Sequence, residues 1–148
     1  FYLYTSNLET SRRFNLFLYE FSENFQNFSF SSPLSKKEAV DLDNFKDSVW
    51  DIRLTSRSSG ESTNDVLTFK EGKIKSLNLS LEGFPDSNYS ITVKEDGSVI
   101  WETIQTKDDG STATWYGVWD KGSMKGILAK NSAGGESLDY AFVSMKRR

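Results

Sequence analysis

Four tryptophans and six tyrosines are the side chains of this chain best suited to recognising a ligand. Each joins a flat apolar body to one polar tip, which suits a cavity for a planar or apolar molecule. Trp101, Trp115 and Trp119 lie with Tyr89 and Tyr140 in the middle and late part of the chain. Strand alternation lets Tyr89, Trp101 and Tyr140 share an inward face, and does the same for Trp115, Gly117 and Trp119. These five aromatics are the candidate ligand-binding residues. The plainer reading is that they are core, because a narrow β structure needs bulky interior side chains.

Other chemistries find little support. The chain holds no His and no Cys. That removes the commonest general base, the thiol nucleophile, the zinc-thiolate site and the Ser-His-Asp triad. No catalytic residue, metal site or cofactor is expected, and the protein is read as not an enzyme. Asp41, Asp43 and Asp47 offer oxygen ligands, but their spacing fits no Ca²⁺ loop and the glycine such a loop needs is missing. Helix capping explains them better. Asp108-Asp109-Gly110 reads as a turn before it reads as a metal site. Asn27-Phe28-Ser29, Asn78-Leu79-Ser80 and Asn88-Tyr89-Ser90 match the glycosylation sequon, a match that a Ser/Thr-rich chain produces by chance. Eighteen basic residues against 21 acidic give a net charge of −3, so the basic footprint of a nucleic-acid binder is absent.

The elements that must position these residues fall into two halves. All ten glycines lie at or after Gly60, whereas ten of the 21 aromatic residues lie within residues 1–30. The front reads as a helix over about residues 8–28. Phe14, Phe17, Leu18, Phe21, Phe25 and Phe28 recur at spacings of three and four and form one apolar stripe. Ser6 with Glu9 makes a capping box, and Pro33 prevents continuation. The stripe is too large to stay exposed and is the candidate protein interface, docking either on its own barrel or on another protein. A membrane surface is a poorer fit, because the polar face lacks Lys/Arg enrichment. Ser35 with Glu38 opens a short helical lead-in over about 36–46.

The back reads as eight strands at spacings of roughly 10–14 residues. They begin at Trp50, Val66, Ile74, Tyr89, Val99, Thr112, Met124 and Leu138, and Ile74–Leu81 is read as one continuous strand. Asp96-Gly97 and Asp109-Gly110 are strong hairpin signals. Hairpins join sequential neighbours, so a meander follows, and eight such strands can close on themselves. The expected fold is mainly β: an eight-stranded antiparallel up-and-down barrel over about 48–146. An open sheet with a helix on one face is the alternative. Val99–Ile104 and Thr114–Trp119 are apolar on both faces, which calls for something covering the outer wall. The Phe helix or a partner subunit would serve.

This arrangement resembles the calycin group, the meander barrels that include lipocalins, fatty-acid-binding proteins and avidins. Three features carry the resemblance: a short helical lead-in at Leu42–Asp47, the tryptophan in Ser48-Val49-Trp50, and the basic end Met145-Lys146-Arg147-Arg148. The resemblance spans about residues 42–148. It implies that Trp50 closes the barrel base and is packed by Arg147, a guanidinium over an indole face. The lipocalin glycine two residues before that tryptophan is Ser48 here. The long Phe-rich helix is not a usual family part. The chain is therefore expected to divide into an aromatic-rich amphipathic segment over 1–34 and a calycin-like barrel over 35–148.

The expected function is a non-enzymatic binding or accessory subunit, with the Phe-rich helix and the outer strands making contacts to a protein partner or larger assembly. The alternative is a carrier that holds a small hydrophobic or planar ligand inside the barrel. The chain opens on Phe1 rather than Met. Phe1-Tyr2-Leu3-Tyr4 reads as a frayed chain end, with the end of a longer apolar segment such as an anchor as the alternative, and contact with a membrane is expected only through a segment upstream of Phe1.

Overall fold

The computed structural model describes residues 42–148. The expected helix over 8–28, its Phe stripe (Phe14, Phe17, Leu18, Phe21, Phe25 and Phe28) and the part of the lead-in before Leu42 lie outside the described residues. Within them, a one-turn helix α1 (Leu42–Lys46) precedes β1 (Ser48–Ser56), β2 (Ser62–Lys70) and β3 (Lys73–Ser76). A second short helix, α2 (Leu77–Leu81), leads to β4 (Ser87–Asn88) and β5 (Ser90–Val93). Then come β6 (Val99–Thr106), β7 (Thr112–Asp120), β8 (Ser123–Asn131) and β9 (Ser137–Arg147).

All neighbours are antiparallel, in the order β4-β3-β2-β1-β9-β8-β7-β6-β5. The first long strand therefore pairs with the last, and the meander curls into a nearly closed barrel. The strands number nine rather than eight because one stave is interrupted. β4 pairs with β3 and β5 with β6, so the chain changes partner at Tyr89. At that seam a side chain replaces the ladder: Thr103 Oγ1 donates to the Asn88 carbonyl at 2.6 Å and lies 2.6 Å from Ser87 Oγ.

The second departure is at Ile74–Leu81. The strand stops at Ser76, and Leu77–Leu81 is helical. Ser76 is the reason, since its hydroxyl accepts from the Leu79 amide and caps the turn. Leu77, Leu79 and Leu81 do not share a face: Leu79 is buried, whereas Leu77 and Leu81 are exposed. Gly83 then takes a left-handed φ of 94°, and the Phe84 amide reaches back to the Leu79 carbonyl at 2.9 Å.

Four of the hairpins fall into two kinds. Glu71-Gly72 and Lys121-Gly122 have positive φ at both central residues, the mirror-image two-residue turn whose twist matches the strands. Asp96-Gly97 and Asp109-Gly110 make a wider turn in which only the glycine is left-handed. In both, the lysine amide donates to the serine carbonyl at 2.9 Å. Inside, Gly117 and Gly126 face each other across β7 and β8. A Cβ on Gly117 would strike the Trp101 indole, and one on Gly126 would strike the Phe142 ring. Their missing side chains make room for those two rings.

Candidate functional site

The five aromatics named from the sequence all meet at the barrel core. Trp101 and Trp115 belong to the buried cluster, and Tyr89, Trp119 and Tyr140 pack against it part-buried. Ring contacts run through the interior. Trp115 lies 6.2 Å from Trp101 and 5.5 Å from Phe142, centroid to centroid. Trp101 meets Phe69 at 5.0 Å. Phe69 meets Phe45 of α1 at 4.7 Å, and Phe45 meets Trp119 at 5.4 Å and Tyr89 at 6.1 Å.

The three phenylalanines in this chain of contacts were not singled out from the sequence. Phe69 and Phe142 occupy inward positions of ordinary alternating strands. Phe45 sits among polar residues, Asp43-Asn44 before it and Lys46-Asp47 after it. Only register and closure reveal that they face the tryptophans.

The end of the barrel where β1 begins is closed by α1. The Phe45 carbonyl accepts from Ser48 Oγ at 2.6 Å, and that hydroxyl accepts from Trp50 Nε1 at 2.8 Å. The Arg147 guanidinium lies 5.7 Å from the Trp50 ring centre and donates to the Asn44 carbonyl at 2.7 Å and to Asn44 Oδ1 at 2.5 Å. Ser48 thus stands where the resemblance would put a glycine, and its hydroxyl links α1 to the indole.

The opposite end is closed by the segment Leu77–Asp86. Leu79 and Phe84 are its buried plugs. Buried Asp65 accepts from Ser76 Oγ at 2.5 Å, from the Val66 amide at 2.7 Å and from the Asn78 amide at 3.0 Å. Gln105 is fully buried, donates to the Pro85 carbonyl at 2.8 Å and accepts from Trp115 Nε1 at 2.9 Å. On the surface, Lys130 pairs with Glu82 at 2.6 Å, and Lys107 donates to the Glu82 carbonyl at 3.0 Å. Gln105 was foreseeable only from alternation, as the fourth inward residue of Val99-Trp101-Thr103-Gln105.

Electrostatics within the barrel are muted. Burial raises the Tyr89 phenol above its ordinary value, so it stays a neutral donor. Tyr116 is raised by burial and then by the neighbouring Glu102 carboxylate. Asp96 is lowered chiefly by the Ser98 hydroxyl, and Asp109 chiefly by the Ser111 amide. These two carboxylates are turn-forming groups. Three buried polar atoms have no hydrogen-bond partner among the described residues: Tyr89 Oη, Trp101 Nε1 and Trp119 Nε1. Leaving such a donor unanswered costs about 1–3 kcal/mol, so each calls for a reason.

The remaining sequence candidates are quickly placed. Asp43 and Asp47 are exposed, and Asp41 is outside the described residues. Among the described residues no group of three or more His, Cys, Asp or Glu is placed to hold a metal ion, and no helix is long and apolar enough to cross a membrane. Asn78 uses its side-chain amide on the Asn64 carbonyl.

The class that fold and interior define is a nearly closed antiparallel barrel with an aromatic core and a capped mouth at each end. No protein-family model, curated protein or solved structure matches the chain.

Proposed function

We propose that the chain is a calycin-like barrel that works as a non-enzymatic binding or accessory subunit, making protein contacts through the outer wall of β6–β9 and the Phe stripe of residues 14–28. The observation that carries this reading is the outer wall. Met124 and Leu128 of β8 join the interior cluster, so the alternating Ile127 and Ala129 face outward. Ile127 itself is 0% exposed, so the surface open to a partner is the apolar rim around it. Register extends the apolar wall sideways, through Tyr116 and Ala141 beside Ile127, and through Ile100 and Val118 on β6 and β7. Ile104, Val143 and Met145 continue it with exposed side chains. A sheet that is apolar on both faces is built to be covered.

Other features support the same reading. Tightly packed rings occupy the interior, as expected of a barrel that works through its surface. The order α1, Trp50, then Arg147 across the indole supports the calycin likeness. The lack of His and Cys supports a non-enzymatic role.

Light scattering and native mass spectrometry of the purified full chain test the proposal. The expected result is a species larger than one chain, or one carrying a bound protein. The pair Ile104→Asp and Val143→Asp should disperse it without moving the thermal transition, because both side chains are exposed. Phe21→Asp with Phe25→Asp should disperse it in the same way. A wild-type monomer with no co-purifying protein would overturn the proposal.

A further inference from the structure

The barrel is nearly closed, and its gap runs along one strand edge. β5 is the last strand in the sheet order and has a neighbour only on its β6 side. The chain before it is covered by β3 as far as the Tyr89 amide, which reaches the Gly72 carbonyl at 3.4 Å. Beyond Tyr89 the Glu71-Gly72 turn has ended that neighbour. The Lys94 amide donates to the Ser98 carbonyl, which fixes the phase of the ladder. Bonding residues alternate, so Ser90, Thr92 and Lys94 face β6, whereas the amides and carbonyls of Ile91 and Val93 point off the sheet. Among the described residues no strand pairs with them.

Proteins keep such edges apart with charges, prolines, bulges or shortness. β5 has only shortness. Ser90-Ile91-Thr92-Val93 carries no charge and no proline, and it pairs with β6 without a break in register. Ile91, Thr92 and Val93 are all β-branched, the type that favours strands.

We propose that β5 pairs antiparallel with β5 of a second copy of this chain, about a two-fold axis at Thr92. The segment is self-complementary about that residue. Ile91 of one copy stands opposite Val93 of the other, and each such pair exchanges both backbone hydrogen bonds. Thr92 meets its own copy in the closer, unbonded position between them, a favourable cross-strand pair. Charge points to the same partner. The pairing carries the Glu95-Asp96 turn of each copy up to the β2–β3 turn of the other. There Lys70 stands opposite Lys73, both exposed and neither in an ion pair among the described residues. The edge is separate from the outer wall of β6–β9, so this proposal goes beyond the docking reading and either can fail alone.

The native chain has no Cys, so one introduced thiol gives an unambiguous readout. Opposed residues in the unbonded position have Cα atoms about 4.5 Å apart, a separation a disulfide can span. Thr92→Cys in the full chain should form a disulfide-linked dimer under mild oxidation. Ser62→Cys, exposed at the strap end of β2, should stay monomeric. Adding Ile104→Asp and Val143→Asp to Thr92→Cys should leave the cross-link intact. Sedimentation of the native chain should show a concentration-dependent dimer. Val93→Pro removes an amide that points off the sheet and spares the β5–β6 ladder, so it should weaken that dimer by about tenfold or more. The proposal is overturned if Thr92→Cys fails to cross-link, if Ser62→Cys cross-links as readily, or if Val93→Pro dimerises as tightly as the native chain.

Discussion

Where β1 begins, the barrel is stopped by Phe45, a wholly buried ring tied down by residues close to it in the chain or in the sheet. Ser48, three residues on, holds its carbonyl, and Arg147 of the neighbouring β9 clamps Asn44 over Trp50. At the other end the stoppers are Leu79 and Phe84, carried on a strap that leaves the sheet after Ser76. That strap is tied by long-range polar contacts: Asp65 beneath it, Gln105 behind it, and Lys107 and Lys130 at its rim. One task is thus done by two kinds of force. The α1 end packs Phe45 against three aromatic rings, with short hydrogen bonds beside it. The strap end relies on hydrogen bonds and an ion pair, which are directional, partly solvated and weaker when screened.

The largest effect should come from exchanging each stopper for alanine. Phe45 touches three aromatic rings, and its loss leaves a cavity that they cannot easily fill. Phe45→Ala should cost about 3–5 kcal/mol in urea unfolding. Phe84→Ala should fall at about 3 kcal/mol, the low end of that range, because the strap can settle inward and the Lys107 ammonium lies over the ring. If Phe84→Ala proves the costlier change, the contrast between the ends is wrong.

Asp65→Asn sharpens the same contrast. The carboxylate accepts from three donors, and the amide can answer fewer of them. A loss of about 1–3 kcal/mol is expected. More telling is where it acts. Amide hydrogen exchange should quicken over 76–84 and stay unchanged over 44–50. Equal quickening at both ends would mean that the strap is not an independently held element.

How far the sequence foretold each end follows from the same chemistry. The α1 end was readable: the lead-in, the tryptophan at the start of β1 and the basic end of the chain are separate signals pointing to one place. The strap was misread as strand because Leu77, Leu79 and Leu81 alternate as a half-buried strand does. The capping serine at 76 was the available counter-signal, and a five-residue helix is too short to impose its own period. The break at Tyr89 left no trace, since Tyr89, Ile91 and Val93 alternate regularly. The chain changes partner there because Asn88 already stands opposite Lys73, the first residue of β3, and the Glu71-Gly72 turn lies beyond it. The inward aromatics were readable as residues, but that Trp50 would donate to Ser48 and Trp115 to Gln105 emerges only from the folded barrel. The outer wall was visible as two-faced strands in β6 and β7. Its continuation through Ile127 was not marked.

The clamps come next. Arg147→Ala removes two hydrogen bonds and the indole stacking, and about 1–2 kcal/mol should be lost with little dependence on salt. Lys130→Ala removes a rim ion pair whose carboxylate partner is 44% exposed. It should cost roughly 0–1 kcal/mol, and raising the salt concentration should erase the difference from wild type. Thermal unfolding of the two variants at low and high salt separates them, and a salt-sensitive Arg147→Ala would blur the distinction drawn between the ends.

The smallest effect concerns two matching turns, one at each end: Lys94–Ser98 beside α1 and Lys107–Ser111 beside the strap. Each aspartate is lowered below its ordinary 3.8, Asp96 first by the Ser98 hydroxyl and Asp109 first by the Ser111 amide. A carboxylate lowered in the folded state binds protons more weakly there than in the unfolded chain. Its contribution is therefore complete above the unfolded value and fades as pH falls below 3.8 toward the folded one. Asp96 is mostly solvated, so screening limits its share to a few tenths of a kcal/mol, roughly. Urea unfolding between pH 5 and pH 3 should show wild type losing slightly more stability than Asp96→Asn, which has no charge to lose. Asp109→Asn should behave alike with a still smaller difference, because its carboxylate is fully in water. A larger pH response from Asp109→Asn would mean that the strap end holds its turn more firmly than the α1 end does, against the order of strengths argued for the stoppers and the clamps.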